Sequence, residues 1–201
     1  MGQPPSLPNL ASEAAGCRRC DLFKRATATV FGEGTAGAPL FLVGEQPGDQ
    51  EDRAGRPFVG PAGRLLDRAL EEGGIDRDGV YLTNAVKHFK WEERGKRRLH
   101  KTPSRTEVVA CRLWLEGELA AVDPDVVVSL GATAGASLLG PSFRVGRQRG
   151  APLEAAVGEW SGLVLPTIHP SAILRVPEED DREEAMAGFV ADLKKAAALV
   201  R

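Results

Sequence analysis

The chain has 201 residues, of which 42% are apolar and 27% charged, and its formal net charge is -2. That is enough for one domain with a substantial core, and too even a balance for a chain drawn to nucleic acid by its overall field. No apolar run approaches a membrane span and Met1-Gly2-Gln3-Pro4-Pro5 lacks the basic and apolar regions of a secretory signal, so a cytoplasmic protein with no membrane association is expected.

Residues 1–10 read as a loose leader, and Ser12 to Arg25 as a short helix carrying Cys17 and Cys20. Pro39 to Gly44 is an apolar run that predicts a buried strand, ending abruptly in a turn rich in Glu45, Gln46, Asp49, Gln50, Glu51 and Asp52. Pro47, between Gly44 and Gly48, fixes the backbone of that turn. From Pro61, the spacing of Leu65, Leu66, Ala69 and Leu70 predicts a helix that Gly73-Gly74 stops. Val80 to Asn84 is a second strand.

Residues 87–105 show no period and read as an inserted loop. It holds eight basic residues against Glu92 and Glu93, a local balance of 8 - 2 = +6. A helix from Ser104 or Arg105 to about Val122 follows, with Val108, Val109, Leu113, Leu115 and Leu119 as its apolar positions and Cys111 within it. Asp125 to Gly131 predicts a strand buried on both faces, Ala132 to Leu139 a small-residue helix, Leu163 to Ile168 a fourth strand, and Glu178 to Val200 a closing helix. This alternation predicts a single three-layer α/β/α domain around a mostly parallel four-stranded sheet.

In such a sheet ligands bind beyond the carboxyl ends of the strands. Three of the predicted strands deliver polar groups there: Glu45 and Gln46, then Asn84, then His169. The Asn and Gln amides each offer a donor and an acceptor, which suits the edge of a nucleobase or another amide-like ligand, and a histidine can donate to a carbonyl oxygen. Phe58, just past the acidic turn, is placed to stack on a flat ring. Three cysteines in a cytoplasmic chain do not suggest disulfides; Cys17-Arg18-Arg19-Cys20 is a two-ligand half-site for a metal, with Cys111 a candidate third.

Gly44-Glu45-Gln46-Pro47-Gly48-Asp49, Gly55-Arg56-Pro57-Phe58-Val59-Gly60-Pro61-Ala62-Gly63, Leu82-Thr83-Asn84 and His169-Pro170-Ser171 resemble the motifs of the uracil-DNA glycosylase superfamily, in particular its iron-sulfur family 4. The resemblance runs from Cys17 to the last helix. Gln46, where family 4 usually has Ala, and the insertion Lys96-Arg97-Arg98-Leu99-His100 are similar to the UdgX type. The resemblance implies a uracil flipped from DNA, stacked on Phe58 and read by Asn84 and the groups around Gln46. Asp49 is counted with that substrate-binding set; for Asp49 and Asp52 a chemical role and a role that only braces the turn both stay open in the sequence. His169 stabilises charge on the departing base.

The resemblance further implies that His100, held by Glu45, captures the sugar, so that the protein ends covalently bound to the abasic site. Water in place of His100 would make an ordinary turnover glycosylase, and a non-catalytic iron-sulfur nucleic-acid binder is the other alternative. Lys96, Arg97, Arg98, Lys101, Ser171 and Arg175 are implied on the DNA. A four-iron four-sulfur cluster on Cys17, Cys20, Cys111 and His88 is implied, with zinc on the same residues as the alternative. Uracil-containing DNA, preferably single-stranded, is the expected partner of a monomer.

Overall fold

The computed structural model describes residues 6–201. In chain order the elements are α1 (Leu7–Ala15), β1 (Leu40–Gly44), α2 (Asp49–Ala54), α3 (Pro61–Gly73), β2 (Val80–Asn84), β3 (Trp91–Arg94), β4 (Arg97–His100), α4 (Arg105–Val122), β5 (Val126–Leu130), α5 (Ala132–Leu139), α6 (Val145–Gln148), β6 (Leu153–Val157), β7 (Trp160–Thr167), α7 (Pro170–Ile173) and α8 (Glu179–Ala197). No helix among them is long and apolar enough to cross a membrane.

The main sheet has the order β2-β1-β5-β7-β6. The first four strands are parallel and every residue of β1, β2 and β5 is buried. Their alternating side chains feed two cores. Leu40, Leu42, Val80, Leu82, Val126 and Val128 meet Leu66 and Leu70 of α3 and Phe189 and Leu193 of α8 on one face. Phe41, Val43, Tyr81 and Val127 meet Leu115 and Leu119 of α4 and Leu138 of α5 on the other. The expected three-layer architecture is thus present, with five strands in place of four. The extra strand, β6, pairs antiparallel with β7 across the tight turn at Gly158-Glu159. Its Leu153-Glu154-Ala155-Ala156-Val157 is low in the β-branched and aromatic residues that announce a strand.

Three local expectations are corrected. The basic loop contains a hairpin of its own, in which β3 and β4 pair antiparallel from Trp91↔His100 to Arg94↔Arg97. Its two-residue turn is Gly95-Lys96, with Gly95 at φ 61°, a conformation favourable to glycine. At the amino end, Ser6 accepts the Asn9 N–H and starts α1, so residues 6–10 are not a loose leader; Met1 to Pro5 lie outside the described residues. The helix expected over Ser12 to Arg25 stops at Ala15, and Cys17 and Cys20 sit on the loop before a single 3-10 turn, Asp21–Lys24.

α4 starts at a reciprocal cap: Ser104 Oγ accepts from Glu107 N at 3.3 Å and the Glu107 carboxylate accepts from Ser104 N at 2.6 Å. Of its predicted apolar positions, Leu115 and Leu119 are in the core, whereas Val109 and Leu113 are exposed at 60% and 48%.

Between α4 and β2 lies a fully buried ion pair. Lys87 Nζ donates to Glu118 Oε2 at 2.6 Å, to Thr83 Oγ1 at 2.6 Å and to the Asn84 carbonyl at 2.7 Å. Glu118 also accepts from Tyr81 Oη, Thr83 Oγ1 and Gly32 N. Every proton of the ammonium has a partner, which makes the charge tolerable in a dry interior. Lys87→Met, which strands the Glu118 charge, is expected to cost about 3–5 kcal/mol in urea unfolding, and adding Glu118→Leu should recover much of it.

Candidate active site

The parallel register sets the ends of the strands side by side: Gly44 is level with Asn84, and Val43 with Ser129 and, one strand further, Pro166. Glu45, Asn84, the Gly131-Ala132-Thr133 turn and His169 therefore emerge along one edge of the sheet. The close approach at Gly44 is quantitative. A Cβ there would lie 2.3 Å from Asn84 Oδ1 and 2.8 Å from Phe58 Cζ, so glycine is what lets the amide and the ring converge. Asn84 is 3% exposed.

Phe58 adopts φ 54°, a region that bulky residues avoid and that the surroundings must enforce. They do so through Glu51, whose carboxylate accepts from Gly48 N at 3.1 Å and Gly60 N at 2.7 Å, closing the loop around the ring. Gly63 is equally tight: a Cβ would come within 1.7 Å of the Phe58 carbonyl oxygen. The Phe58 ring lies 6.4 Å from that of His169, at an interplanar angle of 26°.

His169 Nδ1 accepts from Ser171 N at 3.1 Å and lies 2.8 Å from Ser171 Oγ. Since Nδ1 is an acceptor, the proton of the neutral ring is on Nε2, which is left to donate. Burial lowers the His169 pKa to about 4, aided by the charges of His100 and Arg175 and opposed by Glu45. The ring is a neutral donor at physiological pH.

Glu45 joins the edge to the hairpin. Its Oε1 lies 3.3 Å from His100 Nε2, and its Oε2 accepts a hydrogen bond from the Thr133 hydroxyl. Burial pushes the carboxyl up, but the hydrogen bonds from His100 and Thr133 outweigh it and hold the group below the ordinary carboxylate range. His100 is half exposed, open to a ligand arriving over the edge.

Gln46 is placed otherwise than as a reader of a base. Its Nε2 donates to the carbonyls of Lys90 at 3.2 Å and Lys101 at 3.0 Å, and its Oε1 accepts from Lys90 N at 2.9 Å. The amide is spent clasping both legs of the hairpin that carries His100. Arg98, expected on DNA, is mostly buried. It pairs with Asp49 and, at 2.7 Å, with Asp52, and lies over the rings of Phe89 and Trp91. Asp52 also accepts from Thr27 N at 2.9 Å. Both aspartates thus brace the hairpin against the acidic helix.

Lys101 pairs with Glu92 at 2.9 Å, and Lys96 and Arg97 are exposed at the hairpin tip. Arg175 folds back onto the Ser171 carbonyl at 3.0 Å. Thr133 was not anticipated from the sequence, although it directly follows a strand that ends at the same edge, which is the signal that marks Glu45 and His169.

Cys17, Cys20 and Cys111 share one apolar cluster with Val86 and Trp114. Trp114 Nε1 donates to Cys17 Sγ and Lys87 N to Cys111 Sγ, each at 3.2 Å. Burial raises the Cys111 thiol to about 11 and raises that of Cys20. His88 is buried, its Nδ1 without a hydrogen-bond partner among the described residues and its Nε2 2.9 Å from Thr29 Oγ1; burial lowers its pKa. Among the described residues no three His, Cys, Asp or Glu side chains gather closely enough to hold a single metal ion.

At the carboxyl edge of a parallel sheet, an aromatic ring beside an amide, a neutral imidazole donor and a carboxylate can hold and polarise a planar heterocycle. The sequence profile of the uracil DNA glycosylase superfamily matches residues 31–194, and the chain belongs to that superfamily. It is 37% identical to the type-4 uracil-DNA glycosylase of Thermotoga maritima over 92% of this chain and 90% of that protein. It is 36% identical to that of Archaeoglobus fulgidus over 92% and 90%, and 35% identical to that of Sulfurisphaera tokodaii over 86% and 77%.

The depressed His169 pKa has a consequence for stability. Between about pH 6.5 and 4 the unfolded chain binds a proton at this residue and the folded chain does not, so stability falls as pH falls through that window. Urea unfolding at pH 7 and 4.5 should show a larger acid loss in wild type than in His169→Asn, by on the order of 3 kcal/mol at most.

Proposed function

We propose that this protein excises uracil from DNA and captures the resulting sugar on His100, as a UdgX-type member of its superfamily. The observation that carries this reading is the contact between His100 Nε2 and Glu45 Oε1, with the hairpin bearing His100 clasped by Gln46 and strutted by Arg98. A basic-loop histidine serving only to touch phosphate needs neither the carboxylate partner nor the clasp.

The flipped uracil stacks on Phe58 and is read by the Asn84 amide. As the C1′–N1 bond breaks, its electron pair passes to the uracil ring, and the charge on the base carbonyl is met by the Nε2 proton of His169. The ionised Glu45 faces the cationic sugar and takes the Nε2 proton of His100 as that nitrogen bonds to C1′. The imidazole occupies the place of the attacking water, so the product is a stable C–N bond and each molecule acts once. Lys96 and Arg97, free at the hairpin tip, attract the strand, preferably single-stranded, and Arg175 stands beside it.

The cysteine cluster fits an iron-sulfur group better than zinc. The three sulfurs share one apolar wall, two of them receive N–H donors, and the Nδ1 of His88, without a hydrogen-bond partner among the described residues, is a donor atom in reserve. A single zinc needs its four ligands around one point, whereas a four-iron cluster takes each ligand on a separate iron. Such a cluster supplies rigidity between the amino-terminal segment and the start of the hairpin.

Incubation with a uracil-containing single-stranded oligonucleotide followed by denaturing electrophoresis should give a shifted band that is absent for His100→Ala. Gln46→Ala should form the band more than tenfold more slowly while still releasing uracil. Free uracil in large molar excess over protein, without a band, would instead establish turnover with water as the nucleophile; no uracil at all would leave a binding protein. Purified protein is expected to be brown and to bleach on acidification, with about four irons per chain by elemental analysis; colourless protein with stoichiometric zinc would exclude the cluster.

A further inference from the structure

A groove of about 570 Å³ opens between the first half of α4, α5 and the loop over residues 140–146. Its lining includes Ala85, Pro103 and Thr133. Each adjoins a reacting group: Ala85 follows Asn84, Pro103 lies on the strand-to-helix link after His100, and the Thr133 hydroxyl donates to Glu45. The walls carry Val109, exposed although apolar, and three arginines, Arg105, Arg112 and Arg144, with no Asp or Glu among the lining residues. Arg144 is fixed by donating to the carbonyls of Pro141 at 2.9 Å and Phe143 at 2.7 Å, contacts that orient the guanidinium without neutralising it. Arg112 pairs with Glu116 on its own helix, and Arg105 has no ion-pair partner among the described residues.

We propose that this groove is the subsite for the nucleotide adjoining the uracil on one side of the same DNA strand. A nucleotide combines a flat ring with apolar faces and a phosphate, and the groove combines an apolar wall with guanidinium groups that bind phosphate oxygens in pairs. Its volume is in the range of sites that bury a small ligand. Continuity with the edge favours a nucleotide: the groove's lining includes Ala85 and Thr133, which adjoin Asn84 and Glu45, whereas an acidic peptide would match the arginines but has no reason to reach the reacting groups. The exposed Val109, anomalous as part of a helix core, is in its place as the floor for a base.

The proposal rests on the uracil-excising reading above, and the test separates the two. Single-stranded oligonucleotides with one uracil are extended by one nucleotide at a time on the 5′ side only or the 3′ side only. The half-saturating protein concentration for uracil release is then measured under single-turnover conditions. In wild type it should fall about tenfold on adding the nucleotide that fills the groove, on one side only. Arg144→Gln and Val109→Glu should each lose that gain and keep whatever gain the other side gives, with the shortest oligonucleotide as the internal reference for each variant. Variants that keep the gain on both sides overturn the subsite, and so does an equal loss on both sides, which marks general attraction to phosphate. No uracil release from any oligonucleotide would remove the underlying reading and the groove's role with it.

Discussion

The side-chain amide of Gln46 is the constraint on which the site depends. It stands one residue beyond Glu45 at the end of a central strand, and its donor and acceptor are matched to the backbone of Lys90 and Lys101, the residues that flank the two hairpin strands. Because the clasp closes the hairpin at its root, the position of His100 against Glu45 is set by the sheet and not by a wandering loop. Arg98 adds a second fixation higher up, ion-paired to Asp49 and Asp52. A bidentate or doubly paired arginine held over two aromatic rings has little freedom left, and such pairs are among the stronger polar contacts proteins make.

The rest of the edge follows from parallel strands ending in register. Gly44 and Gly63 mark where chains approach too closely for any side chain, and the price is paid in the positive φ of Phe58. Strain of this kind persists only where neighbours impose it, and here Glu51 holds both ends of the segment through backbone N–H groups. Below the edge, the buried Lys87–Glu118 pair ties the Asn84 carbonyl to α4, so that the amide which faces the site rides on a fixed backbone.

Much of this was legible in the sequence because burial on both faces writes itself as continuous apolar runs. The strands at Leu40, Val80 and Val126 declare themselves in that way, and the polar residues after β1, at the end of β2 and after β7 fall on one edge by topology alone. The hairpin was hidden because its strands are exposed and charged, leaving only the Gly95-Lys96 turn as a local mark. β6 was hidden by its alanines. The roles of Gln46 and Arg98 could not be read from composition: an amide that reads a ligand and one that clasps a backbone are the same residue type, and only the distance to Lys90 and Lys101 tells them apart. Val109 misled for a related reason, since periodicity reports an apolar face and not what covers it.

The hairpin pairs with no strand of the main sheet, and none of residues 91–100 belongs to the apolar clusters that hold the domain together. Its attachments lie at its root and one flank: the Gln46 clasp, the Arg98 ion pairs, and ring contacts of His100 with Phe89 and of Trp91 with Arg25. The hairpin is a unit apart from the sheet, yet the buried Asp52 and Gln46 side chains of the scaffold find their partners in it. The aim of His100 is therefore adjustable through the few side chains that grip the hairpin, Gln46, Asp49 and Asp52, with the strands of the sheet untouched.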